Sequence, residues 1–185
     1  KLKQEGNKYK LDNAQRALDA GAASLSWYVT GQLPEPAKPG DAVMAGASPK
    51  YLPVIIAAME CLADPEFDLL HPQASLGGFE LAIWVSGPIA QELNMKWIDR
   101  LWTYGNRANS SIGRAIVLCR INLGQMWPGI NDMARTRTVP FTNYTFAENN
   151  TEDNPWPPYH TVQGFEAEDS CVTASTVWPR MMQTY

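Results

Sequence analysis

Histidine and cysteine are scarce in this chain: two of the first and three of the second among 185 residues. Two imidazoles, His71 and His160, are too few for a zinc site built from histidine alone. Cys61, Cys119 and Cys171 lie far apart with no CxxC pair. That excludes the dense disulfide framework of small secreted domains and fits a reducing compartment. Charge is scarce as well. Only 18% of residues are Asp, Glu, Lys or Arg, against about 25% in an average soluble domain. No run of about eighteen apolar residues occurs, so no membrane-spanning helix is expected. The opening KLKQEGNKYK is basic and polar, and no apolar segment of the kind a secretory signal needs follows it. These absences point to a cytoplasmic protein with no membrane partner.

What is present is apolar and aromatic. With 45% hydrophobic residues the chain can bury a core, which excludes a disordered polypeptide, and its length suits one domain. Seven Trp is a high count, and large amphipathic rings favour pockets and interfaces. The charge is unevenly placed. Lys96 to Arg137 holds seven Lys or Arg and two acids, Asp99 and Asp132, whereas Thr138 to Pro179 holds six acids and no Lys or Arg. A net charge of −4 without a long basic tract argues against sequence-independent nucleic-acid binding.

Residues 1–10 read as an arm-like end. Leu11, Ala14, Ala17, Leu18, Ala22 and Leu25 recur at helical spacing over 11–28. GQLPEPAKPGDA at 31–42 is a Pro-stiffened linker, so residues 1–40 form a helical arm and linker ahead of a domain at 41–185. Ser48-Pro49 predicts a capped helix start, Leu52, Ile55, Ile56, Met59 and Leu62 continue it, and Asp64-Pro65 ends it. LAIWV at 81–85 reads as a buried strand running into the turn Ser86-Gly87-Pro88 and a short helix. Ser110 or Ser111 is expected to cap a helix over SIGRAIVLCRINLG, with Gly124 at its end. Strands are expected at 141–147 and 170–177, separated by a polar, Pro-broken loop at 149–158. The resulting fold class is α/β or α+β: a single domain with a small mixed sheet flanked by helices.

Three segments hold groups able to do chemistry. Ser86 and Gly87 sit where a buried strand enters a helix, a place that is either a plain turn or a ligand loop; no G-x-S-x-G elbow surrounds Ser86. Asn106, Arg107 and Asn109 gather amide and guanidinium donors ahead of a helix, which is either a simple cap or a site for an anionic substrate group. Glu148 and His160, twelve residues apart across a Pro-rich turn, are candidates for an acid/base pair or metal ligands, against a plain hydrogen-bonded role for the histidine. The cysteines read as inert: Cys61 and Cys119 fall on apolar helix faces, and Cys171 has acids but no base near it in sequence.

The order of several motifs resembles the C-terminal region of the UGSC-type (seleno)proteins, a bacterial family whose thiol or selenol motif is similar to that of the glycine and proline reductases. The matching stretches are AVMAGASPKYLPVIIAAME at 42–60, DPEF at 64–67, SGPIAQEL at 86–93 and NRANSSIGRA at 106–115. They continue with PGINDM at 128–133, YTFAENN at 144–150, PWPPYH at 155–160, Gly164-Phe165 and Asp169-Ser170. Where the family has a Cys after the position of Gly46, this chain has Ala47.

The resemblance implies one component of a hetero-oligomeric enzyme acting in small-molecule metabolism, of reductase or lyase type. Its thiol or selenol nucleophile would lie on another segment or a partner subunit. The expected roles are catalytic for Glu148 and His160 and substrate-binding for Ser86, Gly87, Asn106, Arg107 and Asn109. The sequence specifies neither cofactor nor metal. Expected partners are a second subunit or further copies of the chain, and a small-molecule substrate. The competing expectations are a non-catalytic scaffold and a metal-dependent lyase or hydratase component.

Overall fold

A computed structural model describes residues 4–5, 8–10, 40–99, 101–102, 105–124, 126–130, 132–134 and 142–178. The helix expected over 11–28 and nearly all of the Pro-rich linker lie outside the described residues. The strands are β1 (Gln4–Glu5), β2 (Lys8–Lys10), β3 (Glu80–Ser86), β4 (Tyr144–Ala147) and β5 (Cys171–Val177). They form a mixed sheet in the order β1-β2-β5-β3-β4. The first ten residues, read as an arm, thus contribute two short strands to the β5 edge. The helices are α1 (Gly40–Met44), α2 (Leu52–Ala63), α3 (Leu70–Ala74), α4 (Pro88–Glu92), α5 (Arg107–Asn122) and α6 (Tyr159–Val162). The protein is an α/β domain with a small mixed sheet flanked by helices, as its sequence predicts. Among the described residues no helix is long and apolar enough to cross a membrane.

Register decides what each face of the sheet carries, because successive side chains on a strand point to opposite sides. β3 pairs antiparallel with β5, Ser86 opposite Cys171 and Ile83 opposite Ala174, and parallel with β4, Val85 opposite Ala147. One face therefore presents Leu81, Ile83, Val85, Ala147, Val172 and Ala174, all buried in the core with α2 and α5. The other presents Trp84, Tyr144 and Phe146. α2 is apolar almost all round, and every residue from Val54 to Ala63 is buried, as expected of a helix enclosed by its neighbours.

Helix boundaries follow local chemistry, with two corrections. Ser48 makes no side-chain cap; the entry to α2 is a 3-10 turn at Pro49–Tyr51. α5 starts at Arg107 rather than at Ser110 or Ser111, because the Asn106 carboxamide oxygen accepts the Asn109 N–H at 2.8 Å and forms the cap. Asp64 is extended ahead of Pro65 and ends α2 where expected. α5 then presses against the start of β4. A methyl on Gly113 would lie 1.7 Å from the Thr142 carbonyl oxygen, so only glycine allows this approach. Asn143, at φ 54°, donates its side-chain N–H to the Gly113 carbonyl at 3.2 Å and fixes the same junction.

Candidate active site

The parallel pairing of β3 and β4 brings their C-terminal ends together. Ser86 closes β3, Glu148 follows β4, and the Glu148 N–H donates to the Val85 carbonyl at 2.8 Å. In sheets with parallel strands this edge is where ligands bind. The Ser86 hydroxyl donates to Glu148 Oε2. The Tyr159 N–H, at the start of α6, donates to Glu148 Oε1 at 2.6 Å. His160 follows, only 1% exposed, with Nδ1 3.9 Å from Glu148 Oε2. The polar loop at 149–158 folds back through Asn149, whose side chain accepts from Thr151, and through Asn154, which donates to the Asn149 carbonyl. That turn is what lets residues twelve apart in sequence meet.

The histidine is held from one side only. Its Nε2 is 3.4 Å from the Ala167 carbonyl, and its Nδ1 is buried without a hydrogen-bond partner. A ring that donates Nε2–H to Ala167 leaves Nδ1 as a bare acceptor beside the carboxylate; a ring protonated at Nδ1 aims that proton at Glu148. The order of contacts is serine to glutamate to histidine. Ser86 gives its hydrogen to a carboxylate and not to an imidazole, so the arrangement is not a serine nucleophile activated by histidine.

Glu148 and Gly87 line a narrow cleft of about 20 Å³, completed by Ala90, Trp97, Asn150 and Thr151. Gly87, at φ 83° and ψ −173°, caps α4 and lies against the backbone of Asp169 and Ser170. The Ser170 hydroxyl accepts the Ile89 N–H at 3.2 Å, tying the start of β5 to the same turn. Beside the carboxylate the outer face of the sheet is a layer of rings. Trp84 stacks on Phe146 at 6.3 Å and meets Tyr159 edge-on at 5.7 Å, and Trp102 meets Tyr144 edge-on at 4.6 Å.

The other predicted site residues part company from this cluster. Asn106 and Asn109 are buried and committed to the fold. Asn106 donates to the Asn94 carbonyl at 2.8 Å as well as capping α5. Asn109 accepts the Lys96 N–H and donates to the Lys96 and Leu101 carbonyls, at 3.1 to 3.3 Å. Their side-chain oxygen and nitrogen atoms already serve backbone partners within the fold. Asn109→Ala is expected to lower stability by about 1–3 kcal/mol, the cost of orphaned buried partners, measured by urea denaturation. Arg107 donates from Nε and Nη2 to the Gly46 carbonyl at 3.2 and 3.0 Å, in a different cleft at the other end of β4.

The three cysteines are buried thiols outside any disulfide. Burial pushes the Cys61 thiol well above its usual range, helped by Glu60 and Asp64. Burial, and then Asp41, pushes Cys119 up to about 12. Neither offers a thiolate at neutral pH. Among the described residues no group of three or more His, Cys, Asp and Glu is placed to hold a metal. Sequence reasoning missed Tyr159 as a backbone donor to Glu148 and Trp84 as the ring beside it. The pairing of alternate aromatic residues in β3 and β4 was the available signal. In comparisons with known proteins, the chain matches no family model, no curated protein and no solved structure.

Proposed function

We propose that this chain is one component of an oligomeric enzyme that acts on a small molecule, with Glu148 as the group that accepts and returns a proton. The observation that carries this reading is the convergence of Ser86, Glu148 and His160 at the C-terminal edge of the parallel strands. Two donors fix the carboxylate, which faces a cleft, while a buried imidazole without a partner on Nδ1 stands behind it. A general base must be positioned before its strength matters, and this one is positioned from both oxygens. Ser86 and Tyr159 orient Glu148, and the His160 ring packs beside it.

The motif order shared with the UGSC-type family supports a place in a bacterial thiol- or selenol-dependent assembly. In that reading the nucleophile belongs to a segment or subunit outside this chain, since Cys61 and Cys119 are buried with raised thiols. A cytoplasmic setting belongs to the same reading, and three thiols outside any disulfide support it. The separation of Arg107 from Glu148 favours a second reading, a scaffold whose exposed rings Trp102, Trp156 and Trp178 meet a partner.

Native mass spectrometry of the complex purified from its source tests both. The expected result is an assembly with a bound small molecule. Glu148→Gln, which keeps size and removes charge, is expected to lose activity about 100-fold or more with the assembly intact. A chain that is monomeric and binds nothing overturns the enzyme reading; an intact assembly indifferent to Glu148→Gln leaves the scaffold.

A further inference from the structure

The segment that brings Glu148 to His160 also builds a surface. Residues 148–169 are folded back on themselves by the bond from Asn154 to the Asn149 carbonyl and by the Tyr159 bond to Glu148. The Phe165 N–H adds a third tie, donating to the His160 carbonyl at 3.1 Å. On this frame Trp156 is 76% exposed, and Tyr159 and Val162 are exposed beside it in sequence. The Tyr159 ring continues onto the outer face of the sheet through Trp84, Phe146 and Trp102. Successive ring centroids in that row are 5.7, 6.3 and 6.1 Å apart. Trp102, at its far end, is exposed again. A continuous layer of rings open to solvent marks a contact surface, and Trp and Tyr are side chains that contacts between proteins favour.

The charge on the same segment selects the partner. Glu152, Asp153, Glu166 and Glu168 are all exposed, and no Lys or Arg occurs from 138 to 179. We propose that this aromatic and acidic surface docks a basic, arginine-bearing segment of a different polypeptide. A guanidinium stacks on an aromatic ring and also forks onto a carboxylate, so arginine complements both kinds of group here. A second copy of this chain presenting the same surface about a twofold axis would set these acids against each other, and like charges opposed across an interface repel. A nucleic acid or an anionic lipid surface is repelled in the same way. The proposal rests on the oligomeric reading above. It adds that the partner takes the side of the chain that carries Glu148.

The test has two arms. In the first, the full chain is titrated calorimetrically with nona-arginine and nona-lysine peptides. Saturable binding is expected, tighter for arginine by about twofold or more because only its plane stacks on the rings. Trp156→Ala is expected to weaken it about fivefold or more, and so is the pair Glu166→Lys and Glu168→Lys. These side chains are exposed, so the urea midpoint is expected to stay within experimental error in both variants. In the second arm, a carbodiimide joins carboxylates to amines in the complex purified from its source. The expected links run from Glu152, Asp153, Glu166 or Glu168 to lysines of a different subunit. Absence of saturable binding, binding unchanged in Trp156→Ala, or links only to a second copy of this chain overturns the proposal. An intact assembly whose links avoid all four acids also overturns it, while the enzyme reading stands. A chain found with no partner overturns the oligomeric reading, and nona-arginine binding that depends on Trp156 then still sustains the surface.

Discussion

Gly87→Ala is expected to unfold at a far lower urea concentration than the parent chain and to lose the Glu148 site before it unfolds. Two independent costs add at this position. The backbone, at φ 83° and ψ −173°, occupies a region that is essentially reserved for glycine, and an alanine there carries about 1–3 kcal/mol of strain. A methyl group would also lie 2.1 Å from the Asp169 carbonyl oxygen and 3.0 Å from Ser170 Cα. Both obstacles are backbone and cannot swing aside, so overpacking adds about 1–3 kcal/mol more. Against a total stability of about 5–15 kcal/mol the sum is large. Relief requires the turn after β3 to move away from the start of β5, which carries Ser86 away from Glu148. Gly46→Ala is the control. Its φ is also positive, at 73°, but nothing lies within 4 Å of the added methyl, so it is expected to cost about 1 kcal/mol. Equal midpoints for the two variants would refute the assigned role of the Gly87 contact.

Glu60→Gln is expected to make the protein more stable above neutral pH and to flatten its pH dependence. Glu60 sits on α2 only 7% exposed, with Oε2 buried and without a hydrogen-bond partner. Burial raises its carboxyl from 4.5 to about 7. The folded chain therefore holds a proton between these values that the unfolded chain has released. Stability from this group is fully present below about pH 4.5 and is lost as pH rises through about 7. The glutamine cannot ionise, so its variant escapes that loss, a difference of about 1–3 kcal/mol at pH 8 that vanishes near pH 4.5. Urea denaturation at both pH values measures it. A parent chain whose midpoint does not fall between them would show that Glu60 is solvated.

Much of the sheet was legible because its signals are local. LAIWV is apolar on every residue, and burial on both faces is what β3 experiences. The Asp64-Pro65 stop and the Pro88 start depend on single-residue sterics, and they hold. Less legible was the use of polar groups. Asn106, Arg107 and Asn109 look in sequence like converging donors for a ligand, yet the two amides fold the chain and the guanidinium faces another cleft. Donor count cannot distinguish a carboxamide that waits for a ligand from one already bonded to Lys96 backbone, thirteen residues away. Glu148 and His160 were legible as a pair because a Pro-rich turn permits return. The direction of the contact, with serine bonded to the carboxylate, depended on the parallel register of β3 and β4. Serine capping of α5 failed for a simpler reason: Asn106 is an equally good cap and comes first.

The bonds around Asn109 also determine how this sheet can be extended. Among the described strands β4 lies at one end of the sheet, and a strand with open N–H groups invites another chain to add to it. At Ala147 that invitation is withdrawn, because its N–H already donates to the Lys96 carbonyl at 3.0 Å. Asn109 holds Lys96 in place by mimicking a neighbouring strand, accepting from its N–H and donating to its carbonyl. A buried carboxamide thus acts as a stopper against edge-to-edge polymerisation at Ala147. At that residue a further strand finds no N–H to pair with, so the sheet cannot be continued there in regular register.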